Sequence, residues 1–279
     1  MNLAVLMCVY GGDDPSYFEA ALNSIEASIS NDNNHLRVYI HIDGDVSPVI
    51  LSLINECPIM HRIVKSEDNI GLAAGLNKLI ALLEDEEYIF RMDADDIVVK
   101  GRFSSQIEYM ERELDVDFSG GGICEFEGDV SGVDLSSARF YPSKHSEIID
   151  TIVKGSPFAH VTMCFRKGFF QRFGCYPTEY PLNEDIAYWF KAIRAGAIGA
   201  NIQKTLVFVR MDMAYSRRSL RKAFPEFKVY CSIVQWARRG WMYPFIRLLF
   251  RILPSSIVKY LYRSRFRTII LGQGKNNIL

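Results

Sequence analysis

The chain has no long apolar run. Between Trp236 and Ile270 bulky apolar groups mix with arginines and Pro254 interrupts them, so the longest uncharged stretch falls well short of the roughly 20 residues a spanning helix needs. No segment predicts a membrane crossing, although this one could lie on a membrane surface. The six cysteines (Cys8, Cys57, Cys124, Cys164, Cys175, Cys231) form no CxxC pair and no Cys/His cluster at zinc-ligand spacing. They read as buried small hydrophobes in a reducing compartment. A basic n-region is also missing: Met1-Asn2-Leu3-Ala4-Val5-Leu6-Met7-Cys8 runs straight into Gly11-Gly12-Asp13-Asp14, too short and wrongly flanked for a signal peptide. This predicts the first strand of a cytoplasmic protein. Internal repeats and low-complexity tracts are lacking too. With 49% apolar and 23% charged residues, disorder is excluded for most of the length.

Acidic residues are absent from the C-terminal end. After Glu226 there is none, while residues 227–279 hold ten basic ones, so a net charge of −1 divides into −11 for the first 226 residues and +10 for the rest. Such asymmetry implies an anionic partner for the tail.

The 279 residues suffice for one large α/β domain, with or without an appendage. Leu3–Val9 is a short apolar run closed by a Gly-Gly-Asp-Asp-Pro break, and from Ser16 to Ile29 apolar residues recur at helical spacing. A second strand over Arg37–Ile42 ends in Asp43-Gly44-Asp45, residues 47–57 read as a helix, His61–Lys65 as a third strand and Gly71–Leu83 as a helix. A fourth strand, Tyr88–Met92, runs directly into Asp93-Ala94-Asp95-Asp96. The alternation predicts a mainly parallel, Rossmann-like sheet flanked by helices. Ligands of such sheets bind beyond the carboxyl ends of the strands, where Tyr10, Asp43, Asp93 and Asp95 fall. The second half is less regular: Gly120-Gly121-Gly122 leads into Ile123–Phe126, a polar loop spans 128–137, a helix runs from about Glu184 to Ala195, and a strand lies near Thr205–Arg210.

Two carboxylates one residue apart after a buried strand can offer oxygen ligands to a hard divalent cation that also bridges phosphate oxygens. The plain alternative is a solvated acidic turn, or an N-cap for a helix beginning near Ile97. The DxD does not stand alone. Val9-Tyr10, Asp43, the stretch from Asn69 through Gly71 to Asn77, Arg91-Met92-Asp93-Ala94-Asp95-Asp96, the stretch from His160 to Arg166, and Asn183-Glu184-Asp185 with Trp189 follow in order. In these blocks, over roughly residues 1–225, the chain resembles the family 2 glycosyltransferases, which have a GT-A fold.

The resemblance implies two halves, residues 1–100 for the nucleotide-sugar and 101–225 for the acceptor, followed by a basic amphipathic helical tail over 226–279. It implies that Tyr10 and Asp43 contact the nucleobase and ribose, with Val9, Asn69, Gly71, Asn77, Arg91 and Ala94 also lining the donor site. Asp95 is the expected direct ligand of Mn2+ or Mg2+, and Asp93 serves the ribose or a metal-bound water, which leaves Asp96 as a cap. Asp185 matches the catalytic base of inverting members, with Glu184 beside it at the acceptor. The same pair could simply be an acidic N-cap for its helix. His160, Arg166 and Trp189 are expected to bind the acceptor, although a lone histidine near a strand is equally a satisfied core residue. The role of Arg210 stays open. The family often has Gly-Gly-Tyr where this chain has Phe173-Gly174-Cys175-Tyr176-Pro177, so the acceptor pocket departs from pattern.

The implied reaction moves a hexose, galactose or glucose by family habit, from a UDP-sugar in a β1,3 linkage to an undecaprenyl-diphosphate-linked N-acetylhexosamine or oligosaccharide of O-antigen or capsule. The tail would meet anionic lipid on the inner face of the cell membrane, each Lys or Arg contributing about 1 kcal/mol. It could equally be a packing helix with a solvated basic face. No motif supports a nucleic-acid partner. A sugar-nucleotide pyrophosphorylase is the rival reading, but its glycine-rich basic loop is replaced by Tyr10-Gly11-Gly12-Asp13-Asp14-Pro15. A non-catalytic carbohydrate- or membrane-binding module would not need Asp93, Asp95 and Asp185 together.

Overall fold

A computed structural model describes residues 1–28, 34–211 and 223–252. Its centre is a mixed eight-stranded sheet in the order β3-β2-β1-β4-β7-β6-β8-β5. Strands β1 (Asn2–Tyr10), β2 (His35–Asp43), β3 (Met60–Ser66) and β4 (Tyr88–Arg91) are parallel neighbours. The second half adds β5 (Ile97–Val98), β6 (Phe118–Phe126), β7 (Cys164–Arg166) and β8 (Gly199–Arg210). There β7 is antiparallel to both β4 and β6, β5 is antiparallel to β8, and β6 runs parallel to β8.

Period-2 alternation sends side chains of one strand into two cores. Leu3, Val5, Met7 and Val9 of β1 face α1 (Pro15–Ala27), α2 (Pro48–Glu56) and α4 (Arg102–Arg112), meeting Phe18, Ile25, Ile54 and Met110. Ala4 and Leu6 face the other way, toward α3 (Leu72–Ile80), α6 (Phe169–Phe173) and α7 (Glu184–Arg194), where Trp189 and several phenylalanines form an aromatic core. A short α5 (His145–Thr151) lies on this same side. Coverage on both faces explains why β1 is one apolar run.

Several expectations change. The segment after the acidic turn is β5, not a helix start, because Ile97 and Val98 pair with Phe208 and Val207 of β8. The triple glycine lies within β6. A Cβ on Gly121 would stand 2.4 Å from Leu206 Cδ1, so the strand is glycine where β8 side chains cross it closely. Only Cys124 and Cys164 are buried, and Cys175 is exposed, although all six thiols are free. The division at residue 225 cuts through α8 (Ala223–Ala237), which buries Val229, Tyr230, Ile233 and Val234 in the core that α7 shares. Helix α9 (Tyr243–Ile252) folds back on α8, tied by Glu226 to Arg247 at 2.6 Å and Arg251 at 2.6 Å. Ile29, at the expected end of the first helix, and residues 253–279 with their five basic side chains lie outside the described residues. Among the described residues no helix is long and apolar enough to cross a membrane.

Candidate functional site

The carboxyl ends of β1, β2 and β4 meet on one edge of the sheet. Tyr10 and Asp43 are register partners across β1 and β2, and Arg91 pairs with Leu6. The buried Asp43 carboxylate accepts the Ile70 N–H at 2.7 Å and the Gly71 N–H at 3.0 Å. It thereby fixes the loop before α3, where Gly71 takes a φ of 85° that suits glycine. Tyr10 is exposed, with its ring lying against Gly12, and Asn69 is exposed on the loop before α3. Val9 is fully buried, so only its backbone borders the site. In the loop after β1, Asp13 accepts the Tyr10 N–H at 2.9 Å and Asp14 the Ser16 N–H at 2.8 Å. The chain's own acids occupy donors that a pyrophosphorylase would present to phosphate.

Asp93, Asp95 and Asp96 each offer a carboxylate oxygen within 4.8 Å of the others. Asp93 is bridged to Arg91, with one bond at 2.7 Å. Ala94 is buried between them. Asp96 is buried as well and accepts the Arg210 N–H at 2.8 Å, so it ties this turn to β8 instead of capping a helix. Burial, then the charges of Asp93 and Asp95, push its carboxyl well above the ordinary carboxylate range. The set fits a hard divalent cation, which would relieve that repulsion.

Sequence reasoning left Arg210 without a role, and the structure supplies one. Its side chain donates to the Asp95 carbonyl at 3.2 Å and the Gly128 carbonyl at 2.8 Å, and lies 3.8 Å over the Tyr17 ring and 4.6 Å over Phe126. It clamps the acidic turn from outside.

Glu184 and Asp185 open α7, just after Leu182, whose φ of 64° is uncommon for a side chain of its size. Burial holds both carboxyls above their ordinary values, and Glu184 is pushed further by Asp185. Arg91 links the two acidic groups: its guanidinium is buried, bonded to Asp93, and close enough to act on Glu184, Asp185, Tyr176 and His160. His160 Nε2 lies 3.0 Å from the Tyr176 hydroxyl. Burial, then Arg91, holds its pKa well below the ordinary value, so the ring is neutral at neutral pH. Tyr176, which the sequence offered only as a departure from pattern, is thus part of this wall.

Three expected contacts are corrected. Trp189 is wholly buried, set edge-on behind His160 at 5.7 Å between ring centroids, so it backs the site and presents no face to an acceptor. Arg166 sits at the opposite end of the sheet, in register with Tyr88, and donates to the Val116 carbonyl at 2.7 Å, the Tyr88 hydroxyl at 2.9 Å and the Met110 carbonyl. Asn77 uses both ends of its amide on the Tyr176 backbone, each at 2.9 Å. It fastens α3 to the 174–177 loop and leaves the donor side to Asp43 and the turn.

The sequence pattern of Glycosyl transferase family 2 matches residues 4–174. The chain belongs to that family. A UDP-Gal:alpha-D-GlcNAc-diphosphoundecaprenol beta-1,3-galactosyltransferase of Escherichia coli is 31% identical over 96% of this chain and 98% of its own length. The amylovoran biosynthesis glycosyltransferase AmsE of Erwinia amylovora is 30% identical over 93% and 97%. Among solved structures, S. aureus TarS 1-349 in complex with UDP-GlcNAc superposes with a TM-score of 0.63 at 17% identity, covering 96% of this chain and 75% of that one. The mannosyltransferase PcManGT of Pyrobaculum calidifontis, with GDP-Man and Mn2+, gives 0.64 at 12% identity over 96% and 82%. The GT-A fold expected from sequence is the fold observed.

Proposed function

We propose that this glycosyltransferase moves one hexose, galactose ahead of glucose, from a UDP-sugar to an N-acetylhexosamine or oligosaccharide carried on undecaprenyl diphosphate, forming a β1,3 linkage with inversion. The assembly would belong to O-antigen or capsule synthesis, at the inner face of the cell membrane. The observation that carries the reading is Arg91, one buried guanidinium bonded to Asp93 of the Asp93-Ala94-Asp95-Asp96 turn and within electrostatic reach of the Glu184-Asp185 helix start. A donor-holding group and a base are thereby kept in one constellation. The relatives' lipid-linked and polysaccharide products support the acceptor class.

Tyr10 stacks on the base of the nucleotide, and Asp43 shapes the loop that passes it. Asp95, with Asp93, would hold Mn2+ or Mg2+, which when bound offsets the charge of the departing diphosphate. Asp185 accepts the proton of the acceptor hydroxyl as that oxygen bonds to the anomeric carbon. The bond from that carbon to the diphosphate breaks, UDP leaves with the electron pair, and the configuration inverts. Burial of Asp185 makes it a stronger base than a solvated carboxylate, and the neutral His160 with Tyr176 borders the acceptor side.

Transfer from a panel of UDP-sugars to synthetic GlcNAc- and GalNAc-diphosphate-lipid acceptors tests the reading. Asp95→Ala and Asp185→Ala should each abolish product while leaving the circular dichroism spectrum unchanged; near-normal turnover in both would overturn it.

A further inference from the structure

Helix α9 is built inside out for a solvated helix. Its charged residues Arg247 and Arg251 turn inward to the buried Glu226, with Pro244 packed beneath, while large apolar side chains turn to solvent. Trp241, Met242, Phe245 and Leu249, joined by Phe224 of α8, are each 58–65% exposed. The spacing 241, 245, 249 is one helical stripe. Phe227 packs edge-on to Phe245 with ring centroids 5.3 Å apart, and the Lys228 ammonium lies 4.9 Å from the Phe224 ring. One apolar face is therefore continuous across both helices and edged with positive charge.

An exposed apolar patch rimmed by polar groups marks an interaction surface. Its charge identifies the partner. From Phe227 onward the chain has ten basic residues and no acidic one; Lys228 is exposed beside Phe224, and Arg238 is exposed in the turn between α8 and α9. A tryptophan and phenylalanines between cations match the boundary of an anionic bilayer, where aromatic rings sit at headgroup depth.

We propose that the outer face of the α8–α9 hairpin docks on an anionic bilayer, with Trp241, Met242, Phe245 and Leu249 entering the interface and Lys228 and Arg238 meeting the headgroups. The inner side of the same hairpin reaches the site: Tyr230 lies in the core beside α7, and the Glu226–Arg247 pair is close enough to act on Asp185. Docking would then turn the acceptor side of the site toward the membrane. That consequence rests on the reading of a lipid-linked acceptor, whereas the docking itself is read without one.

Full-length protein is sedimented with phosphatidylcholine vesicles with and without phosphatidylglycerol, in the absence of any sugar acceptor. Binding to the anionic vesicles alone is expected, with a blue shift of tryptophan emission. The double variant Phe245→Ser/Leu249→Ser should bind more than roughly tenfold more weakly, and Lys228→Gln or Arg238→Gln about fivefold each. Retained UDP binding shows that each variant is folded. The proposal is overturned if the full-length protein stays in the supernatant, or if the double variant pellets like the parent. It also falls if the same double variant breaks a solution dimer while vesicles capture nothing, or if vesicles bind only after residues 253–279 are removed. Loss of transferase activity with vesicle binding intact would count against the proposed reaction and not against docking.

Discussion

Two acidic clusters sit at opposite ends of the same sheet. At the starts of β2, β3 and β4, His61, Glu84 and Glu86 gather within 4.8 Å, and at the end of β4, Asp93, Asp95 and Asp96 do the same. At the first, Arg37 binds Glu86 at 3.0 Å and Asp85 at 2.6 Å, Arg62 binds Glu84, and the Tyr39 hydroxyl donates to Glu86. Burial pushes Glu86 up, but these donors outweigh it and leave its carboxyl below the ordinary range. At the second, Asp96 is driven the other way by burial and by Asp93 and Asp95. Similar residues make a structural knot where Arg37 and Arg62 hold the carboxylates, and a cation-seeking site where, although Arg91 binds Asp93, the buried Asp96 stands among acids.

The largest expected effects test the functional end. Asp95→Ala and Asp185→Asn should each lower kcat by about two to four orders of magnitude, measured as sugar transfer, while Glu84→Gln at the other cluster leaves kcat unchanged; equal losses at both would erase the contrast. Next comes stability. Glu86→Ala leaves Arg37 on Asp85 but strands the buried Tyr39 hydroxyl, and should cost about 1–3 kcal/mol in urea unfolding with little change in kcat of the folded fraction. Metal should separate the clusters as well. Mn2+ at a hundredfold excess over its Kd should raise apparent stability by about 2.7 kcal/mol, an increase absent from Asp95→Ala and intact in Glu84→Gln when read by thermal shift.

The pH dependences should oppose each other. Glu86 is depressed in the fold, so its contribution to stability is present above the unfolded pKa and lost as pH falls through the folded one; Glu86→Gln should flatten acid unfolding. Asp185 is raised, so its burial favours the fold at low pH and that contribution is lost as pH rises through its folded pKa. As a base it must be ionised, which sets the acid limb of kcat above the ordinary carboxylate value of about 4. The smallest effect belongs to the rim: Arg62→Ala breaks an exposed pair and should change stability by less than about 0.5 kcal/mol.

Only the functional end of this contrast was legible beforehand. Arg91-Met92-Asp93-Ala94-Asp95-Asp96 and Asn183-Glu184-Asp185 stand out in one dimension because each acidic group follows or opens a strongly patterned element. Arg166 was misread for a reason of topology. Motif membership gives sequence distance, and a strand that runs antiparallel to β4 carries the far end of its motif, Arg166, to the wrong edge of the sheet. Tyr176 and Arg210 were missed as site components because their partners lie 16 and 114 residues away.

What the sequence determined by itself was the alternation of β1 to β4 with their helices, the carboxylates at the strand ends and the basic C-terminal end. Each follows from local rules of periodicity, turn chemistry and charge. Only the tertiary structure decided that the second half returns through antiparallel β7, that Arg91 is bonded to Asp93 within electrostatic reach of Glu184 and Asp185, and that α9 turns its arginines inward to Glu226. Those outcomes depend on which distant surfaces bury one another, and a buried charge takes whatever partner the packing brings within reach.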